Sequence, residues 1–328
     1  MKENSSAQSL PIDCFFLDFT GHSEHATKFQ DALKILLCVV NSTLVLPTIL
    51  LNGLVIVTIS RTPSLYSTPS NLLLLCLACA DFMNGVISEP LVVVHLVGEI
   101  TRDLNLFCIP GVVMESCAWL ASATSGITVL ALSVDRFLAV YVHLRYNEIV
   151  TVRKTTIFIA ATWPLVTVNI FARFIGGNNR LFLTANVNVI LVSLVAIMLI
   201  YYKIFKIVIY HNGQIQAQVV SASQSVSVST KTIHELKAKK SLMTVVYIVG
   251  LFWLCYLPFA SVLVSQLIAG PTPSLRTAYA ITATVVFANS VVNPSLYCWR
   301  IGEIRAALRK YVRKGRVEHE GGKRLQRR

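Results

Sequence analysis

The sequence predicts an all-α membrane protein, a bundle of seven transmembrane helices with a cytoplasmic amphipathic eighth helix, and three observations lead there. Hydrophobic residues make up 54% of the 328-residue chain against 14% charged, with a mean hydropathy of +0.63; a soluble domain holds about 45 to 50% apolar residues. Apolar windows of roughly 20 residues, enough for a helix to cross a bilayer core of about 30 Å, recur seven times. The basic residues behind the net charge of +13 lie between and after those windows. That spacing suits a phospholipid surface better than nucleic acid.

In chain order the windows run from Leu33 to Ser60, Ser70 to Val97, Cys108 to Val142, Thr155 to Ala172, Leu181 to Tyr210, Lys237 to Ile268 and Leu275 to Trp299. Lipid leaves no backbone group to water, and such long runs are not the short alternating strands of a barrel, so helices remain. The chain then divides into an extracellular amino terminus over residues 1–32, the helical bundle over 33–299, and a cytoplasmic tail over 300–328. The tail repeats Ile301, Ile304, Ala307, Leu308 and Tyr311 at helical spacing among basic residues, the pattern of a helix lying on anionic lipid. Between His211 and Thr232, Ser, Gln and Val dominate without an apolar face, which predicts a flexible loop.

Orientation follows from Lys and Arg in the short connections. Arg61, Arg145, Arg153, Lys154 and the tail mark the cytoplasm, while Asp13, Asp18, Glu24 and Asp31 give the amino terminus an acidic lean. The chain is thus expected to be a multi-pass plasma-membrane protein with its amino terminus outside. No removable signal peptide is expected in Met1 to Asp31. A sequon at Asn4 lies on the outer segment and is a candidate for glycosylation. The eight cysteines are scattered singly, without the spacing of a zinc or redox site.

An ionisable group inside a span is costly enough to suggest function. Asp81, mid-way along the second span, is the clearest example. It stands in an ordered set: Asn52 in the first span, Leu77 to Asp81 in the second, Asp135, Arg136 and Phe137 ending the third, Trp163 in the fourth. Tyr201, Lys203 and Ile204 close the fifth; Phe252, Cys255, Tyr256 and Pro258 lie in the sixth; Asn289, Ser290, Asn293, Pro294 and Tyr297 lie in the seventh. Over roughly Leu33 to Arg313 the chain resembles rhodopsin-like (class A) G-protein-coupled receptors.

The resemblance implies a buried sodium pocket of Asp81, Ser125, Asn289, Ser290 and Asn293, and hydroxyl and amide oxygens suit such a hard cation. It also implies a switch in which Arg136 pairs with Asp135 at rest and turns toward Tyr201 and Tyr297 when active. Phe252, Tyr256, Pro258 and Pro294 belong to the same switch, with Pro258 kinking the sixth helix into a hinge. A ligand pocket is expected around Glu89, Glu115, Ala118, Trp119, Phe259 and Phe287. Expected partners are a heterotrimeric G protein, an extracellular ligand, a receptor kinase, arrestin and membrane lipids, with no nucleic acid.

Departures from the family pattern narrow the expectation. Tyr256 stands where tryptophan is usual, and Gly111 occupies the position of the usual third-span cysteine. Cys14 and Cys108 either form another outer bridge or remain two free thiols. These traits resemble the melanocortin, cannabinoid, lysophospholipid and adenosine receptor cluster, melanocortin nearest. Glu89 and Glu115 near the outer ends of the second and third spans would then suit a cationic peptide or a bridging calcium ion, or form a solvated rim. A lipid or nucleoside ligand is the alternative, since the pocket is otherwise apolar. A transporter would need a continuous polar path or internal repeats, and neither is visible. No metal-hydrolase motif or paired catalytic acids occur, so no enzyme is expected.

Overall fold

The computed structural model describes residues 28–142, 145–176, 179–221, 250–270, 272–300, 305–306 and 309. Seven long helices run through it: α1 (Lys28–Arg61), α2 (Pro69–Thr101), α3 (Leu104–Tyr141), α4 (Val152–Gly176), α5 (Asn179–Ser221), α6 (Gly250–Ala269) and α7 (Pro273–Arg300). All seven are long and apolar enough to cross a membrane. Single-turn helices at Pro63–Tyr66 and Tyr146–Ile149 join α1 to α2 and α3 to α4. Among the described residues there is no strand.

Two expectations need correction. Helix α4 continues past Ala172 to Gly176, and Arg173 is buried within that added turn. Helix α5 runs on to Ser221, through the first half of the expected loop. Gln214, Gln216, Ala217 and Gln218 are adequate helix formers, and extending an existing helix needs no new nucleus. Asn4, Cys14, the rest of that loop and nearly all of the expected eighth helix lie outside the described residues.

The bundle buries many polar side chains among its apolar core residues and turns large apolar side chains outward. Leu165, Ile175 and Leu254 are exposed, whereas Asn41, Asn52, Asp81, Glu89, Asn289 and Asn293 are buried. That inversion suits a lipid surround, where outward leucines cost nothing and inward amides tie helices together. Helix α3 runs through the middle, against α2, α4 and α5, and α1 packs on α2 and α7. One large core cluster draws residues from all seven helices. A smaller one, Leu37, Val92, Leu96, Met114 and Phe287, sits toward the amino-terminal end of the bundle.

Proline and glycine set the local geometry. Helix α2 holds a π-helical turn at Asn84–Ser88, ahead of Pro90, in which the Glu89 N–H reaches the Asn84 carbonyl. Pro90 has no N–H to continue the regular ladder, and the extra residue rotates the remainder of α2 by roughly 100°. Glu89 therefore faces α1. Gly85 permits this approach, since a Cβ there would lie 2.8 Å from Thr48 Cγ2. In α7, Pro294 leaves the Ser290 carbonyl without its helical donor, and Asn52 Nδ2 fills the place at 2.9 Å.

The turn from α2 to α3 is equally tight. Arg102 takes a left-handed conformation with φ 59°, and Asp103 caps α3 by accepting from Asn105 N at 2.9 Å. At Gly98 a Cβ would come within 2.6 Å of the Leu106 carbonyl carbon. The close approach brings the end of α2 against the start of α3.

Candidate functional site

Three polar assemblies lie along the bundle. In its middle, Asp81 Oδ1 accepts from Ser290 Oγ at 2.8 Å, and Oδ2 accepts from Asn293 Nδ2 at 3.0 Å. Ser125 Oγ and Asn289 Oδ1 are buried nearby on α3 and α7 without a hydrogen-bond partner among the described residues. A carboxylate with spare hydroxyl and amide oxygens around it has the chemistry to hold a small hard cation. The expected five-residue set thus fits sodium.

At the end of the bundle away from the amino terminus, Arg136 is tied down locally. Its Nε and Nη2 donate to Asp135 Oδ2 at 3.0 and 2.6 Å, and Nη2 also donates to Ser70 Oγ. Ser70 in turn donates to Asp135 at 2.8 Å, and Tyr146 Oη donates to its other oxygen at 2.6 Å. Asp135 is 3% exposed, so the pair stands largely out of water with its lone pairs satisfied. Burial, then the bond to Asp135, push the Tyr146 phenol up to about 12. Ser70 and Tyr146 were not foreseen. Tyr201 is partly buried near Ser133, and the Tyr297 side chain lies outside the described residues.

Between these assemblies and the opposite end, the Phe252 and Tyr256 rings stack 4.1 Å apart on α6. The Tyr256 hydroxyl donates to the Ser122 carbonyl on α3 at 3.4 Å. Pro258 lies two residues further along α6, beyond this contact.

A cavity opens at the amino-terminal end, between α1, α2, α3, α6 and α7. Ala118, Trp119, Phe259 and Phe287 line it as expected, joined by Val92 and Met114. Lys34, Glu99 and Arg276 stand among its lining residues, with Lys34 Nζ 3.0 Å from Glu99 Oε1 and 3.4 Å from Asp31 Oδ1. His95 lies in the same wall, its Nδ1–H donating to the Phe107 carbonyl at 2.9 Å. Sequence reading missed Lys34 and Glu99. Each is a charge near the end of a span, which is the available signal.

Neither expected carboxylate lines this cavity. Glu89 is fully buried toward α1 and accepts from Thr48 Oγ1 at 2.9 Å. Glu115 faces α4, where Arg173 Nη2 donates to its Oε2 at 3.1 Å. Arg173 Nε also donates to Asn179 at 2.9 Å, and its guanidinium lies 5.1 Å from the Phe182 ring centre. The two carboxylates point to opposite sides of the bundle, so they do not fit a shared calcium ion. Among the described residues no three His, Cys, Asp or Glu side chains gather for a metal.

Cys108, at the start of α3, is disulfide-bonded, while Cys38, Cys76, Cys79, Cys117 and Cys255 are free. Cys14, the partner considered from sequence, lies outside the described residues.

Residues 51–297 match the family model of the 7 transmembrane receptor (rhodopsin family). Adenosine receptor A2b of Bos taurus is 29% identical over 293 residues, covering 76% of this chain and 82% of that protein. Human G-protein coupled receptor 12 is 30% identical over 278 residues, covering 78% and 75%. Human adenosine receptor A2a is 28% identical over 279 residues; the match takes in 74% of this chain and 64% of that receptor. With seven membrane-length helices and this match, the protein is a multi-pass plasma-membrane receptor with a G protein and an extracellular ligand as partners, not an enzyme. The chain belongs to the rhodopsin family of seven-transmembrane receptors.

Proposed function

We propose that this receptor lies with its amino terminus outside and converts occupancy of the cavity into release of Arg136 toward a heterotrimeric G protein. The observation that carries the reading is Arg136 parked on Asp135 by Ser70 and Tyr146, at the far end of the bundle from a cavity lined by five helices. Sodium at Asp81 would favour the resting arrangement, and a receptor kinase and arrestin would act on the released state. The proposed ligand is small or slender with an apolar body.

A melanocortin-like cationic peptide would need Glu89 and Glu115 free in the cavity, and Thr48 and Arg173 hold them elsewhere. Two relatives are named adenosine receptors. A nucleoside needs hydrogen-bonding groups around its ring; Val92, Met114, Ala118 and Phe287 offer none from their side chains, and Ser122 and Thr284 are the hydroxyls set among them, so the wall favours an apolar body.

The test is a panel of G-protein dissociation sensors in cells, comparing the receptor with Arg136→Ala at matched surface expression. A signal that the substitution removes is the expected result. Activity that survives Arg136→Ala, or silence of both proteins against peptide, nucleoside and lipid panels, would overturn the reading.

A further inference from the structure

We infer that the cavity takes an amphiphile with an anionic head, a carboxylate or phosphate, and that the Lys34–Glu99 pair is the element the head displaces. The inference rests on the receptor reading above and names the ligand class for the same cavity.

Charge and apolar surface are segregated along the cavity. Toward the amino-terminal end the lining carries Lys34, Arg276 and the carboxylate of Glu99, with the more exposed Asp31 3.4 Å from Lys34 Nζ. Deeper, Val92, Leu96, Met114, Ala118, Trp119 and Phe287 make a mostly apolar wall, with the hydroxyls of Ser122 and Thr284 among them. Arg276 and Phe287 are eleven residues apart on α7, about 16 Å of helix rise. A long acyl chain can lie along that wall with its head at the charged end. A compact polar ligand would leave most of the deep wall without a partner, and a cationic head would meet Lys34 and Arg276.

The local field favours an incoming anion. Arg276 lies in the first turn of α7, whose start is capped by Thr272 Oγ1 accepting from Leu275 N at 3.3 Å, so the positive end of the helix dipole faces the same region. Glu99 lies in the last turn of α2, where the dipole opposes a carboxylate. Lys34 and Glu99 are only 11% and 12% exposed, so their pairing is shielded from water. A head group that took the place of Glu99 on Lys34 would keep that lysine paired while releasing a carboxylate from an unfavourable helix end.

The experiment uses the full chain in nanodiscs of zwitterionic lipid, with four probes sharing one oleoyl tail: lysophosphatidate, oleate, monoolein and oleylamine. Thermal unfolding measures binding, and the G-protein sensors measure the response in cells. At least one anionic probe should raise the unfolding midpoint, and comparing phosphate with carboxylate identifies the head; monoolein and oleylamine should do much less. Lys34→Gln should weaken the anionic probe about tenfold, Lys34→Arg should retain most of the binding, and Glu99→Gln should tighten it. A merely structural pair would give losses of the same sign for both partners.

Stronger stabilisation by oleylamine, equal stabilisation by monoolein, or no binding of any probe overturns the inference. So does Lys34→Gln and Glu99→Gln shifting affinity in the same direction. Basal coupling lost in Arg136→Ala is scored separately, so the receptor reading can survive the failure of this ligand class.

Discussion

Tyr146 holds one oxygen of Asp135 while Ser70 and Arg136 hold the other, so the resting state of Arg136 depends on a residue in the connection after α3. Replacing Tyr146 with phenylalanine removes a charge-assisted bond worth about 1.5–3 kcal/mol, and the basal sensor signal should rise severalfold at equal expression. A phenol pushed up to about 12 keeps its proton through the cytosolic range. This donor's contribution is constant well below pH 10 and fades only as pH climbs toward 12, so basal coupling in membranes should not change between pH 6.5 and 8 through Tyr146. Asn52 acts at the same scale: Asn52→Ala strips the Ser290 carbonyl of the donor that replaces the one lost to Pro294. A buried unmatched carbonyl costs about 1–3 kcal/mol, to be read as a lower unfolding midpoint in detergent.

Helix pairs are held by a few exacting contacts. Arg173 and Glu115 join α4 to α3 with side chains 2% and 4% exposed, in a chain whose Gly111 stands where the family's usual third-span cysteine would be. Removing one partner leaves a buried charge and costs about 3–5 kcal/mol, so Arg173→Ala should sharply reduce surface expression. Neutralising both, in Glu115→Gln with Arg173→Gln, should recover part of it, and flow cytometry of tagged receptor compares the three. Gly98→Ala should also destabilise, by about 1–3 kcal/mol, since its Cβ would meet backbone atoms of Leu106 and Phe107 at 2.6 Å. The expected measurement is a midpoint several degrees lower. The π-turn at Asn84–Ser88 shows how an element redirects a residue: read as a regular helix, α2 would send Glu89 elsewhere than to Thr48.

Across the whole molecule, the Asp81 set lies between the cavity and the Arg136 lock. A cation bound only to the resting fold stabilises it in proportion to its occupancy, by about 2.7 kcal/mol at a hundred times its Kd. Replacing sodium chloride with choline chloride should therefore lower the unfolding midpoint of the receptor and leave Asp81→Asn unmoved. By itself the sequence determined the seven spans and the helical class, because hydropathy over twenty residues is a local property of the chain, while the Asp81 set and the pairing of Arg136 with Asp135 came from family resemblance. It also singled out Ala118, Trp119, Phe259 and Phe287 through family resemblance. Only the tertiary structure decided that Glu115 belongs to Arg173, that Glu89 turns to Thr48, and that Lys34, Glu99 and Arg276 gather around one cavity. Those relations depend on helix rotation, on a single inserted residue in α2 and on which helix ends lie side by side, and no window of sequence encodes a rotation relative to a neighbour.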